Sequence, residues 1–300
     1  MKTLSYKTVR ANGIDFNVAT TGEGDRLALC LHGFPESSFS WRHQFSLLER
    51  LGFSVWAPDL RGYGGTSKPA GVNSYAYETL EADVAALIEA SGAKEVVLIG
   101  HDWGALIAWN YAMFGRLPIS KLIIMNVPHP AIWEKQLLNV RQLLKSWYIF
   151  VFQLPWFPEW MLSRNDYAAI ASSFRDMAVD KSRFPEEVLR TYQQSAARPG
   201  ALTAMVNYYR AAFRDFVRGR KRTTRQITVP TLFLWGEADS VLGIECTDGT
   251  EMYVSDLTFR RLPGVSHWVQ QEAPETVNEM IEAWLLGQSV PYAPGASADS

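Results

Sequence analysis

Residues 95–105 read EVVLIGHDWGA, an apolar run that enters Gly100-His101-Asp102-Trp103-Gly104 and continues into a helical pattern over 105–114. A run of that length bounded by glycine has the character of a buried strand. Glycines on either side of one central residue, between a strand and a helix, form the G-x-Nuc-x-G elbow. There the glycines permit a tight turn and close helix packing, and the middle side chain is presented at the sheet edge. The start of the following helix favours negative charge at that point. The presented residue is Asp102. An isolated D-W-G would read as an N-cap aspartate opening a helix, so the assignment depends on what the rest of the chain supplies.

Working outward, short apolar runs at 27–31, 54–57, 96–99, 122–125, 231–235 and 258–262 have the length and composition of buried strands. Helical patterns at 77–90, 105–114 and 274–286 separate or follow them. This alternation predicts an α/β fold, a mostly parallel central sheet flanked by helices on both faces, with ligands at the carboxyl ends of the strands. The chain should open with a β-hairpin of strands 5–10 and 14–20, because Asn12-Gly13 suits a type I′ turn. Between about Pro128 and Thr228 the alternation lapses into helical patterns rich in Trp, Tyr and Phe and punctuated by proline, as an inserted helical cap would be. The expected organisation is a core of 1–127 and 229–288, a cap of 128–228, and a flexible tail from 289, SVPYAPGASADS.

Two more positions bear on Asp102. TLFLWGEAD (231–239) is a strand ending in an acidic turn at Asp239, and PGVSHW (263–268) places His267 beyond the last strand. Alone, such an aspartate is a turn former and such a histidine a polar loop residue. In the order Asp102, Asp239, His267 they match a nucleophile, an orienting acid and a general base.

HGFPESSFSWR (32–42), DLRGYGGTSKP (59–69), GHDWGA (100–105), WGEAD (235–239) and SHWVQQEAP (266–274) together resemble the epoxide hydrolase branch of the α/β-hydrolase family, almost end to end across the sheet region. The resemblance implies an oxyanion hole made by the backbone N–H groups of Phe34 and Trp103, and a structural role for His32. It also implies two ring-opening tyrosines in the cap. SWYIFVFQLPW (146–156) resembles the segment that carries the first, at Tyr148, and NYYR (207–210) the one that carries the second, at Tyr209, with the adjacent Tyr208 as the alternative. Glu36 corresponds to a residue thought to position the hydrolytic water in some relatives, although from the residues alone it reads as a surface loop glutamate. Haloalkane dehalogenases share the aspartate and the following tryptophan, but they commonly place Asn where Phe34 stands. A dehalogenase, or a non-catalytic small-molecule receptor on the same fold, are the rival readings.

The aspartate narrows the reaction on chemical grounds. A carboxylate attacking a carbonyl would give an anhydride, whereas attack on an sp3 carbon gives an ester with its own hydrolysable carbonyl. The expected electrophile is therefore an alkyl carbon, and the cap tyrosines implied by the resemblance, suited to a leaving oxygen, make the expected substrate a small apolar epoxide opened by Asp102. Water activated by His267 and Asp239 would then hydrolyse the ester. Trp147, Phe152 and Trp156 are expected to line the pocket, since such pockets are walled by aromatic and aliphatic side chains.

Composition excludes other classes. Apolar content of 47%, charged content of 20% and a net charge of -2 describe a globule without general affinity for nucleic acid. The basic stretch RAAFRDFVRGRKRTTR (210–225) reads as a solvated helix end and linker. Two cysteines, one inside an apolar run, point to a reducing compartment, taken as the cytoplasm. The greasiest stretch, 147–160, is interrupted by Gln153, Pro155 and Pro158, so no membrane span is expected. The five histidines lack metal-ligand spacing and no P-loop is present, so neither metal nor cofactor is expected. Homodimerisation is left open.

Overall fold

The structure, a computed structural model, describes residues 4–136, 139–220 and 223–296. Its strands are β1 (Ser5–Ala11), β2 (Ile14–Thr21), β3 (Arg26–Leu31), β4 (Ser54–Pro58), β5 (Glu95–His101), β6 (Lys121–Met125), β7 (Thr231–Gly236) and β8 (Leu257–Leu262). They form one sheet in the order β1-β2-β4-β3-β5-β6-β7-β8, antiparallel at β1-β2 and β2-β4 and parallel from β4 onward. Asn12 and Gly13 both take positive φ at the first hairpin, as a type I′ turn requires.

Alternation along β3 shows why the sheet is covered twice. Leu27, Leu29 and Leu31 join one apolar cluster, while Ala28 and Cys30 join the other. Helices α1 (Phe45–Arg50), α2 (Tyr77–Ser91) and α3 (Trp103–Phe114) follow the first strands. Helix α3 is buried on nearly every side, which explains why its sequence lacks a polar stripe. The short segment at 258–262, expected to be buried, is instead the edge strand β8. Only Leu262 is buried there, because β8 has one neighbour.

Between β6 and β7 lie the cap-region helices α4 (Pro130–Gln136), α5 (Val140–Lys145), α6 (Trp147–Val151), α7 (Phe157–Met177), α8 (Glu186–Ala196) and α9 (Ala201–Val217). Helix α7 is broken where Asn165, Asp166 and Tyr167 take left-handed angles. The chain closes with α10 (Val269–Glu272) and α11 (Pro274–Leu285). Of the expected flexible tail, 289–296 is described, with Val290 and Ala293 buried against the second cluster, so that part packs where fraying was expected; 297–300 lie outside the described residues. No helix among the described residues is long and apolar enough to cross a membrane.

Candidate active site

The loops after β3, β5, β7 and β8 meet at the carboxyl edge of the sheet. Asp102 sits at the elbow with φ 49° and ψ −122°, a conformation rare for a residue with a Cβ and tolerated where the surroundings fix it. It occupies the N-cap position of α3, yet its side chain makes no cap hydrogen bond. Its carboxylate is used elsewhere. Oδ1 accepts the Phe34 N–H at 2.6 Å, and Oδ2 lies 3.5 Å from His267 Nε2. The close approach explains two glycines. A Cβ on Gly33 would overlap the Asp102 side chain, and one on Gly104 would overlap the carbonyls that end β3.

His267 Nδ1 lies 2.6 Å from Asp239 Oδ2. Asp239 is fixed by the N–H groups of Val241 (2.8 Å) and Leu242 (2.9 Å) and by Asn126 Nδ2 (2.9 Å). Asn126, at positive φ just past β6, also accepts the Gly236 N–H at 2.9 Å and so clips the ends of β6 and β7 together. Sequence reasoning missed it; the one available signal was an asparagine directly after a buried strand.

Burial works against charge on all three residues, and mutual attraction outweighs it. The His267 imidazolium is disfavoured by burial, but the Asp239 and Asp102 carboxylates beside it raise its pKa to about 10. Burial likewise opposes ionisation of Asp102 and Asp239, and the charge and hydrogen bonds of His267 hold both below the usual carboxylate range. These directions favour an imidazolium between two carboxylates in the resting site. Because the folded value for His267 lies above the ordinary 6.5, its contribution to stability is complete below about pH 6.5 and fades as pH rises toward about 10. The carboxylates contribute in the opposite sense, fully above the ordinary 3.8 and fading below it. Thermal melts between pH 6.5 and 10 should show wild type losing stability. His267→Gln, less stable throughout, should show a flatter slope; identical slopes would contradict this electrostatic arrangement.

Opposite Asp102 stand the cap-region aromatics. Tyr209, on α9, packs edge-on against Phe34 (5.4 Å between ring centroids), Trp103 (5.1 Å) and Phe152 (5.0 Å), and Tyr148 lies 5.8 Å from it. Burial, then the neighbouring Asp102 and Asp239 charges, push the Tyr148 hydroxyl above its ordinary pKa. Tyr209 is raised by burial, then by Tyr148 and Asp102. Both therefore remain protonated as donors. Among the described residues neither donates to the protein. Tyr208, by contrast, is fully buried and donates to the Arg61 carbonyl at 2.8 Å. The adjacent pair thus divides, with Tyr209 at the site and Tyr208 holding the core.

Three expectations need correction. Glu36 is not a surface loop residue. It is fully buried, accepts the Gly33 N–H at 2.7 Å, lies 2.8 Å from His101 Nδ1, and receives Gln270 and Gln271 at 2.9 and 2.8 Å. His101 in turn donates from Nε2 to the His267 carbonyl at 2.8 Å, so Glu36 braces the loop after β3 and the histidine loop at once. Trp147 and Trp156, expected in the pocket wall, are 59% and 81% exposed: Trp147 lies on the outer face of α6, and Trp156 caps α7 in a left-handed conformation after the turn that follows α6. Phe152 does reach the site. His32 has the structural role expected: its Nδ1 donates to the Gly33 carbonyl and Nε2 accepts the Leu60 N–H.

The histidine loop is also tied to the cap region, which spacing gave no reason to expect. Glu272 accepts the N–H groups of Val179 (3.0 Å) and Asp180 (2.8 Å) and bonds the Ser266 hydroxyl beside His267. Gln271 Oε1 accepts from Arg42 (2.6 Å) and from Tyr192 of α8 (2.5 Å). Phe174 of α7 stacks between Tyr192 and Trp268. Among the described residues no cluster of His, Cys, Asp and Glu could hold a metal ion.

Comparison with known proteins places this geometry. The alpha/beta hydrolase fold family profile matches residues 29–274. Epoxide hydrolase 4 of Mus musculus is 38% identical over 94% of this chain and 79% of its own length, and epoxide hydrolase 3 of Xenopus tropicalis 36% over 93% and 77%. Among solved structures, the Bacillus megaterium epoxide hydrolase in complex with an inhibitor superposes with a TM-score of 0.86 at 31% identity, covering 93% of this chain and all of that one.

Proposed function

The chain belongs to the α/β-hydrolase family, on the branch of its epoxide hydrolase relatives, and from that premise we propose that it converts an apolar epoxide to a vicinal diol through an ester on Asp102. The observation that carries this reading is the division of labour between the two oxygens of Asp102. Oδ1 rests on the Phe34 N–H, while Oδ2 has no backbone donor and faces the His267 ring at 3.5 Å, which leaves it as the oxygen that attacks. Oδ2 displaces the ring oxygen from an sp3 carbon as Tyr148 and Tyr209 donate hydrogen bonds to the alkoxide that develops, and one of them gives up its proton. The alkyl group is then on Oδ2, and Oδ1 is the carbonyl oxygen of the ester.

Ester formation changes His267. With the Asp102 charge gone, one of the two carboxylates that raised its pKa is removed, so the imidazolium loses its proton more readily. The proton released there can restore the tyrosine. Neutral His267, oriented by Asp239, takes a proton from water, whose oxygen attacks Cγ of Asp102. Negative charge gathers on Oδ1, stabilised by the N–H of Phe34 and of Trp103, the first residue of α3, whose N–H has no acceptor within the helix. Collapse expels the diol with Oδ2 and returns the carboxylate. Phe34, Phe152 and the site tyrosines give the pocket its apolar wall. Buried, unpaired Cys30 and Cys246 support a cytoplasmic setting.

A single turnover of an aryl epoxide in oxygen-18 water tests the proposal. Label should appear in the peptide containing Asp102, and the first diol should carry none. Label passing directly into the first diol would refute the ester route. Asp102→Ala should abolish turnover.

A further inference from the structure

The segment that turns Tyr148 and Phe152 toward Asp102 turns the opposite way at Phe150, Leu154 and Trp156, which are 50%, 48% and 81% exposed. Phe157 and Trp160, at the start of α7, add to the same surface, with ring centroids 5.7 Å apart. Phe150 meets Phe213 of α9 at 6.1 Å, and Trp156 lines one open groove of about 470 Å³ with Arg210 and Arg214 of α9. Scattered exposed apolar residues need no explanation, but five exposed large apolar side chains between positions 150 and 160, flanked by arginines, do. Trp156 also takes a left-handed conformation, φ 59°, while holding its ring in water.

Charge beside the ridge favours one kind of partner. Residues 210–225 contain seven basic side chains and one acidic one in a chain whose net charge is -2. Arg210 is paired with Glu159 and Arg220 with Asp215, whereas Arg214 and Arg218 are exposed and have no ion pair among the described residues. Lys221 and Arg222 lie outside the described residues. The Arg164 guanidinium lies over the Trp160 ring, 4.7 Å from its centroid. Tryptophan and phenylalanine next to arginine is the composition that seats at the headgroup level of an anionic bilayer.

We propose that this ridge and the arginine face of α9 dock on an anionic phospholipid surface. The docked orientation places the inner face of the same segment, with Tyr148 and Phe152, directly behind the lipid contact. An apolar substrate partitioned into lipid would then enter without crossing bulk water. The cytoplasmic leaflet carries the required negative charge.

Co-sedimentation of the full chain with vesicles of phosphatidylcholine, with and without phosphatidylserine, tests the docking independently of catalysis. Binding is expected to the mixed vesicles, to weaken with added salt, and to shift Trp emission to the blue. Arg214→Gln with Arg218→Gln should lower the partition coefficient on the order of tenfold or more. Phe157→Ser with Trp160→Ser should lower the partition coefficient and shrink the emission shift, leaving the part that Trp156 supplies, while thermal melts show both variants folded. No binding to mixed vesicles at low salt overturns the proposal, as does binding that both variants retain. It is also overturned if the protein sediments as a dimer that Phe157→Ser with Trp160→Ser dissociates, since the ridge would then be covered by a second copy.

Discussion

In His267→Gln, a single turnover of an aryl epoxide should place one alkyl group on Asp102 and then stall. In the proposed mechanism ring opening requires a carboxylate, a bound epoxide and the tyrosine donors, and none of these is His267. The Asp102 carboxyl loses a favourable neighbour in the variant, because the charge and hydrogen bond of His267 help hold it ionised. The Phe34 N–H at 2.6 Å remains, so alkylation should continue at a reduced rate near neutral pH. Hydrolysis loses its general base, which costs on the order of 10²–10⁴ in rate. Glutamine retains a polar group of similar reach but cannot accept the water's proton at neutral pH. Rapid quench followed by intact-mass analysis should show an adduct approaching one per chain, with steady-state diol formation falling with the second step. If the variant turned over steadily without accumulating ester, His267 would not be the base that activates water.

The resting charge arrangement bears on the same experiment. An imidazolium raised to about 10 cannot act as a base at neutral pH. The two half-reactions are separated by this: the proton on His267 stabilises the nucleophile before alkylation, and its release afterwards creates the base. Asp239 acts in both states, so Asp239→Asn should weaken both the orientation of His267 and its basicity.

Much of the fold was legible because its signals are local. The elbow, the strand runs and the order Asp102, Asp239, His267 each lie within short windows where periodicity and glycine placement speak directly. Sequence could not reveal which way a side chain faces in a helical region that is apolar on both sides. In 147–157, Tyr148 and Phe152 differ from Trp147 and Trp156 only in their angle about a short helix and the turn after it, so pocket wall and surface ridge looked alike. Glu36 was misread for a related reason. A glutamate in a loop is ordinarily solvated, and its burial depends on four donors from positions 33, 101, 270 and 271, which lie in three separate stretches of the sequence. Tyr208 and Tyr209 could not be told apart by spacing, and the Arg61 carbonyl separates them.

Removing both site tyrosines should damage the first half-reaction more than the product of the two single losses. The opening epoxide develops an alkoxide beside Asp102, where Phe34 and Phe152 have no side-chain donor to offer and Tyr148 and Tyr209 carry the hydroxyls. Deleting one oriented donor to a developing oxyanion costs on the order of 10²–10³ in rate. With Tyr148→Phe or Tyr209→Phe alone, the surviving hydroxyl still stabilises the charge and can still supply a proton. In the double variant neither is left, and an unsolvated alkoxide must form. Stopped-flow measurement of the alkylation rate, monitored through quenching of Trp103, separates this step from ester hydrolysis, which the tyrosines should affect little. Tyr208→Phe provides the control. It removes a buried hydrogen bond to Arg61, so it should lower thermal stability by about 1 kcal/mol or more while leaving alkylation close to wild type. Alkylation in the double variant within tenfold of wild type, or an equal loss in folded Tyr208→Phe and Tyr209→Phe, would remove the tyrosines from the ring-opening step.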